Sequence, residues 1–147
     1  MKKQSGFTII ELIIAFVVLV LLAVFFVIQR GEVEATSRDK TRKSAINAMY
    51  YNLTEVFYKQ NGYYPDTISR DNLIAMDPLL FTDPSGFTLH GNECVAPSSY
   101  EGDENSENPC DYNYIASDCD KDAHCQNFKL ESKMETEATY IKSSSTK

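Results

Sequence analysis

The pattern of apolar and polar positions changes at about residue 28. Every residue from Leu12 to Ile28 is apolar, and the segment counted from Phe7 to Ile28 is 22 residues long. At about 1.5 Å per residue, a helix of this length spans about 33 Å, which is enough to cross the hydrocarbon core of a bilayer. The pattern therefore predicts a transmembrane helix over residues 7–28.

Beyond Ile28 the pattern becomes that of an amphipathic helix, with one apolar stripe. Asn61-Gly62 predicts a left-handed helix stop, and Pro65 prevents the helix from resuming. We therefore expect one helix from about Thr8 to Gln60, roughly 80 Å long, whose segment 29–61 is covered on one side by the rest of the chain. The stripe consists of Ile46, Met49, Tyr50, Leu53, Val56, Phe57 and Gln60.

Two features of residues 29–44 bear on this helix. Gly31 is a soft point, because glycine weakens a helix interior by up to about 1 kcal/mol relative to alanine. Charged residues then follow closely, and we interpret them as a solvated face near the membrane, with salt bridges between subunits as the alternative. The cluster contains Arg38, Asp39, Lys40, Arg42 and Lys43.

Residues 62–147 contain short segments in which apolar and polar residues alternate, the pattern of a small antiparallel sheet. Strands are predicted at 87–90, at 111–117 with Tyr112, Tyr114 and Ala116 on one face, and at 128–134. The last two form a predicted hairpin. The remaining expectations are a short helix or turn at 71–80, an exposed polar loop at 91–109 and a frayed polar tail at 142–147. The fold class is therefore α+β.

Charge and cysteines indicate on which side of the membrane the domain lies. Lys2 and Lys3 precede the apolar segment, which predicts a cytoplasmic N-terminus and an exported segment 29–147. Residues 62–147 carry six Lys or Arg and sixteen Asp or Glu, so nucleic-acid binding through this domain is not expected. The four cysteines predict two disulfides, for which three pairings exist. We favour the local pairing, Cys94 with Cys110 and Cys119 with Cys125.

Few residues suggest a cofactor or an active site. The cysteines lack a CxxC spacing, so zinc is not expected. Asp118, Asp120 and Asp122 are interpreted as a solvated acidic turn, with calcium as the alternative, because Ala123 and Lys129 stand where a calcium loop needs glycine and glutamate. No nucleophile motif accompanies the two histidines. We expect no catalytic residue, no metal and no other cofactor.

Glu11 is the least expected residue of the apolar segment, because a charge in hydrocarbon costs several kcal/mol unless it has a partner. Cleavage between Gly6 and Phe7 would create a cationic α-amine at the start of the helix. In a stack of parallel helices offset by about one turn, Glu11 of one subunit would meet the amine of the next. Pairing the two charges would offset much of the desolvation cost of each and favours a staggered polymer.

The segment Lys-Lys-x-x-Gly6-Phe7-Thr8-Ile9-Ile10-Glu11-Leu12 resembles the class III signal of type IV pilins and type II secretion pseudopilins. Asn61-Gly62-Tyr63-Tyr64-Pro65 and the predicted terminal hairpin resemble the pilin helix-to-loop junction and C-terminal sheet. The resemblance implies a pilin-like fold with a leader at 1–6, a filament-core helix at 7–28, an amphipathic continuation at 29–61 and a disulfide-bonded β domain at 62–147.

The resemblance also implies a function and partners. A prepilin peptidase would cleave after Gly6 and methylate Phe7, and Glu11 would guide assembly. A membrane platform and an ATPase would move the subunits from the cytoplasmic membrane into an extracellular homo-oligomeric filament for adhesion, twitching motility or DNA uptake, in contact with host or neighbouring cells. The segment lacks the proline at which many pilin helices melt, so only Gly31 could have that role.

Two alternatives remain from the sequence alone. A pseudopilin of a type II secretion or competence apparatus would share the same N-terminal motif. A single-pass anchored binding domain would share the predicted span, but it would leave Glu11 in lipid without a partner.

Overall fold

The computed structural model describes residues 8–91, 93–97 and 111–144. Helix α1 covers Ile9–Tyr51, a π-helical segment follows at Asn52–Phe57, and helix α2 covers Tyr58–Asn61. Together they form an uninterrupted helix of 53 residues. Thr8 caps its start, and Gly62 ends it in the left-handed conformation at φ 79°. The predicted single helix and its glycine stop are confirmed.

The π-helical segment changes which residues of the second half face the domain. A π turn holds about one residue more than an α turn, so it shifts the apolar stripe around the helix axis. Asn52 and Leu53 are buried, Val56 and Phe57 are half-buried, and Gln60 is exposed. The regular stripe predicted from Ile46 onwards is therefore confirmed through Leu53 and is wrong at Gln60.

The described residues of the domain form six short strands in two sheets. In the larger sheet, β5 is central, β4 pairs along one edge, and β1 and β6 pair with the other. Strands β2 and β3 form a separate two-stranded hairpin. The strands are β1 Tyr64–Pro65, β2 Thr88–His90, β3 Glu93–Val95, β4 Tyr112–Cys119, β5 His124–Ser132 and β6 Tyr140–Ser143. The α+β fold, with one long helix on small antiparallel sheets, is confirmed.

The hydrophobic core lies between the second half of α1 and the larger sheet. Residues at helical spacing on α1 contribute one side of it, and alternate residues of β4 and β5 contribute the other, because side chains alternate between the faces of a strand. Tyr112 and Tyr114 are buried as predicted. The principal members are Ile46, Met49, Leu53, Ile68, Leu73, Phe81, Tyr112, Tyr114, Phe128 and Leu130.

Two predictions for the polar segments are corrected. The expected frayed tail at 142–147 is wrong in its first part, because Tyr140–Ser143 is strand β6 and pairs with β5; residues 145–147 lie outside the described residues. The predicted polar loop at 91–109 contains strand β3 at Glu93–Val95, and residues 98–110 lie outside the description. The expected short element at 71–80 is a three-ten helix at Pro78–Phe81 that follows a run of turns.

Candidate assembly site and the junction between helix and domain

The first half of α1 presents an apolar surface that the rest of the described chain does not cover. The most hydrophobic window of this helix is wholly unburied and is long and apolar enough to cross a membrane. Even its least exposed large apolar side chain, Val20, is 43% exposed. Such a continuous apolar surface needs lipid or another protein around it.

Glu11 lies in the first turn of this exposed helix. Its backbone N–H donates to Thr8 Oγ1 at 3.4 Å, which caps the helix start. Within the described residues, the Glu11 carboxylate has no ion-pair partner. Gly6 and Phe7, the predicted processing residues, lie outside the described residues.

Arg42 joins the helix to three other parts of the chain. Its Nε atom donates to Asp83 Oδ1 at 2.7 Å and its Nη2 atom to Asp111 Oδ2 at 2.9 Å. Its Nη1 atom contacts Glu135 at 2.7 Å and Asp39 at 3.1 Å. The Arg42 side chain is only 2% exposed, so this planar donor group is fully enclosed by carboxylates.

Asp39 holds the segment between β5 and β6 against α1. Its carboxylate accepts hydrogen bonds from the Glu135 N–H at 2.9 Å and from Thr136, through its N–H at 2.8 Å and its hydroxyl at 2.7 Å. Burial alone would raise the pKa of Asp39. These bonds, with the one from Arg42, outweigh burial and hold that pKa well below its usual range.

Two of the other three cations of the cluster form ion pairs with the domain, and the third is exposed. Arg38 forms a two-pronged contact with Glu135 at 2.6 and 2.7 Å, and Lys43 pairs with Glu137 at 2.5 Å. Lys40 is exposed and has no ion pair among the described residues. Both sequence interpretations of this cluster are wrong for Asp39 and Arg42, because these two residues form a buried network within one chain.

Asp111 and Glu135 belong to the same network, but their pKa values shift in opposite directions. Burial, and then the neighbouring Asp83 carboxylate, raise the pKa of Asp111 despite its contact with Arg42. Hydrogen bonds from Arg38, and then from Arg42, lower the pKa of Glu135 to about 2. The folded chain therefore disfavours the charged form of Asp111 and favours the charged forms of Glu135 and Asp39.

Comparison with known proteins gives one match, at the N-terminus. A family model described as the prokaryotic N-terminal methylation motif matches residues 1–27. The chain carries a class III signal of the pilin and pseudopilin family. The matched segment contains Gly6, Phe7 and Glu11. No curated protein and no solved structure matches the chain.

A disulfide closes the β4–β5 hairpin of the domain. Cys119 and Cys125 form a disulfide across the β4–β5 turn, as expected. Cys94 is also disulfide-bonded, and Cys110, its expected partner, lies outside the described residues. The staple fixes the turn that carries the acidic residues 118–122.

The acidic turn binds its own backbone and neighbours. Asp120 Oδ1 accepts hydrogen bonds from the N–H groups of Asp122 and His124, each at 2.9 Å, and Asp118 accepts one from Asn127 at 2.7 Å. The His124 ring lies over the Tyr63 ring with 3.7 Å between centroids. No group of three or more potential metal ligands occurs in the described part of the chain.

Sequence reasoning missed the acidic partners of the helix. Asp83, Asp111 and Glu135 are 41, 69 and 93 residues away from Arg42 along the chain. Local periodicity carries no information about contacts at such separations. The one available signal was the excess of acidic residues in 62–147, which offers carboxylates to the cations of the helix.

Proposed function

We propose that this chain is a structural subunit of a type IV pilus filament. The observation that carries the proposal is the uncovered apolar helix over residues 9–28. Most of it lies within the segment that matches the methylation motif, and it continues without a break into the helix that holds the domain. A surface of this kind can be covered first by lipid and then by copies of itself.

Processing and assembly follow from the chemistry of the first turn. A prepilin peptidase cleaves between Gly6 and Phe7 and methylates the new amine, and a membrane platform with an ATPase extracts the subunit. The Glu11 carboxylate of one subunit then pairs with the Phe7 amine of a neighbour offset by four residues, about 6 Å along the axis. Each of the two charges thereby gains a partner of opposite sign.

The proposed locations and partners follow the same order of events. The precursor is a single-pass protein of the cytoplasmic membrane with its N-terminus inside, and the mature chain is part of an extracellular filament. Adhesion, surface motility and DNA uptake are the proposed uses, with host or neighbouring cells as contacts. The acidic domain makes nucleic acid an unsuitable direct ligand for its surface.

The test compares two acidic residues of the same helix. Glu11→Ala is expected to leave leader cleavage intact but to reduce surface filaments strongly, because the buried amine of each subunit loses its partner. Glu55→Ala, at an exposed residue higher on the same continuous helix, is the matched control and is expected to assemble normally. Intact-mass measurement follows cleavage, and electron microscopy of sheared cell-surface material follows filaments.

Normal filament numbers in Glu11→Ala would contradict the pairing. Short structures confined to a secretion or competence apparatus, in place of long surface fibres, would assign the chain to the pseudopilins. A mature wild-type chain that retains residues 1–6 and remains monomeric in the bilayer would refute assembly altogether.

A further inference from the structure

Two uncovered surfaces above the span remain unexplained by the fold. The first, called here the basal groove, is a shallow, open stretch along one face of α1 between Gln29 and Lys40. It is lined by Gln29, Glu32, Val33, Thr36, Ser37 and Lys40. The second, called here the apolar loop, is residues 74–79, in which Ile74 and Leu79 are 73% and 74% exposed. Val33 in the groove is 66% exposed.

The basal groove continues the surface that the span presents. Two further shallow depressions lie on the same helix. One is lined by Val24, Val27 and their neighbours, and the other overlaps the lower end of the groove at Gln29 and Val33. Copies of this chain that surround the span in a filament therefore also stand beside the next three turns of the helix. Those turns need a partner that is part apolar and part polar.

The two surfaces are complementary in charge as well as in hydrophobicity. Lys40, at the upper end of the basal groove, and Asp77, in the apolar loop, are both exposed and have no ion pair among the described residues. Asp77 uses Oδ1 to cap the three-ten helix through the Leu79 N–H at 2.9 Å, which leaves its other oxygen available. Glu32 lies about 12 Å below Lys40 along the helix, so the groove presents its positive charge at the upper end.

The axial positions of the two surfaces agree with the offset expected at the N-terminus. The three-ten helix Pro78–Phe81 contacts α1 and precedes Asp83, which binds Arg42, so the apolar loop lies near the level of Arg42. If the Phe7 amine of a second copy is level with Glu11 of the first, residue 38 of the second is level with Arg42 of the first. One shift of about 6 Å thus brings the apolar loop of one copy to the upper part of the basal groove of the next.

We propose that the apolar loop of one subunit docks into the basal groove of a second copy of this chain, with Leu79 against Val33 and Asp77 paired with Lys40. This contact rests on the proposed filament and names the surfaces through which it is built outside the membrane span. It makes the interface heterologous, with different surfaces on the two copies, and such an interface propagates into a helical polymer.

The first experiment places a photo-crosslinking amino acid at position 33 of the full chain in the cells that assemble it. Irradiated filaments are expected to contain dimers in which position 33 is joined to a peptide from residues 74–80 of another copy. The matched control carries the crosslinker at position 47, also exposed on α1 but outside the groove. Filaments that form normally but give no crosslink from position 33 to residues 74–80 would overturn this contact and leave the proposed filament standing.

The second experiment exchanges the two charges. Lys40→Glu and Asp77→Lys are each expected to lower filament yield by roughly two- to fivefold, the factor that an exposed ion pair supports, and the double variant is expected to restore it. Asp77→Asn keeps the cap oxygen but removes the charge, so it separates loss of the pair from loss of the loop. Single variants at wild-type yield, or a double variant no better than the weaker single one, would refute the pairing.

Discussion

Arg42 is the residue on which the buried charge of this chain depends most. It contacts four carboxylates, two of which are also buried. We predict that Arg42→Met lowers the free energy of unfolding by about 3–5 kcal/mol, because it leaves several enclosed carboxylates without a cation. Urea unfolding of the full chain in detergent micelles, followed by the tyrosine signal of the domain, measures the loss.

Arg30 provides the comparison for this prediction. It lies on the same helix and faces Glu34 at 3.9 Å with both side chains largely exposed. Arg30→Met is expected to change the free energy of unfolding by less than about 0.5 kcal/mol. Equal effects of the two substitutions would show that the enclosed network does not hold the domain.

Asp111 gives the network a predictable response to pH. Its pKa is raised above the ordinary value of an aspartate in the folded chain, so the folded state favours its protonated form and its charge lowers stability at neutral pH. Besides Asp83 and Arg42, it faces Lys133 and the hydroxyl of Tyr112. We predict that Asp111→Asn is more stable than the wild type at pH 7, since the amide oxygen can still accept the Arg42 hydrogen bond without repelling Asp83.

The difference in unfolding free energy between Asp111→Asn and the wild type should vanish in acid. Below about pH 3.8 the wild-type carboxyl is protonated in both states, so the two chains should unfold alike. Both should also lose stability as pH falls from about 4.5 towards 2, because the lowered pKa of Glu135 contributes stability only while that group is charged. Unfolding free energies at a series of pH values test this, and an advantage of Asp111→Asn that persists at pH 3 would contradict it.

Among the elements, the π-helical segment inserts one residue where the contact of the helix with the domain ends, with Asn52 and Leu53 buried at its start. It acts as an α-helix with one extra residue, so removal of an exposed residue from it should restore regular α geometry without rotating the two flanks. We predict that deletion of Glu55 leaves a folded domain, at the cost only of the exposed pair with Lys59. Hydrogen exchange and urea unfolding of the deletion variant test this.

Deletion of Asn47 is the matched control for that prediction. It removes one exposed residue from the regular part of α1, which rotates the preceding helix by about 100° relative to the core. Asp39 and Arg42 would then turn away from the domain, and the variant should unfold. Similar stability of the two deletion variants would refute the interpretation of the π-helical segment as a one-residue insertion.

The elements also show what the sequence could and could not predict. The long helix, its stop at Gly62 and the alternation of Tyr112 and Tyr114 were predicted because each depends on local periodicity or on one backbone conformation. Strand β6 was missed because four residues of mixed polarity become a strand only when β5 provides an edge. The π turn was missed because no local residue pattern distinguishes it from α-helix.

The candidate site divides in the same way. Glu11 stood out because one charge in an apolar run is visible in the sequence itself. The network around Arg42 was invisible, because it depends on residues that the fold brings together from three distant segments. From the sequence, Arg42 was interpreted as part of a solvated helix face. In the structure it is buried and pairs with carboxylates of the same chain.

At the scale of the whole molecule, one continuous helix connects the uncovered apolar surface with the folded domain. The network of Asp39 and Arg42 fixes the domain to this helix only about ten residues above Ile28. A displacement of the span is therefore transmitted directly to the domain. The basal groove lies on the short stretch between them, where neighbouring subunits could fix both parts at once.

Gly31 lies on that stretch, and a substitution at this residue tests whether the helix must open there during assembly. A Cβ atom at Gly31 would meet nothing within 4 Å, and the helix passes through it without interruption. We predict that Gly31→Ala assembles filaments as the wild type does, while it strengthens the helix by about 0.5–1 kcal/mol. Gly62→Ala is the contrasting control, since its φ of 79° strains any side chain and should destabilise the domain. A fully processed Gly31→Ala chain that fails to form filaments would instead show that the spine opens at this residue on assembly.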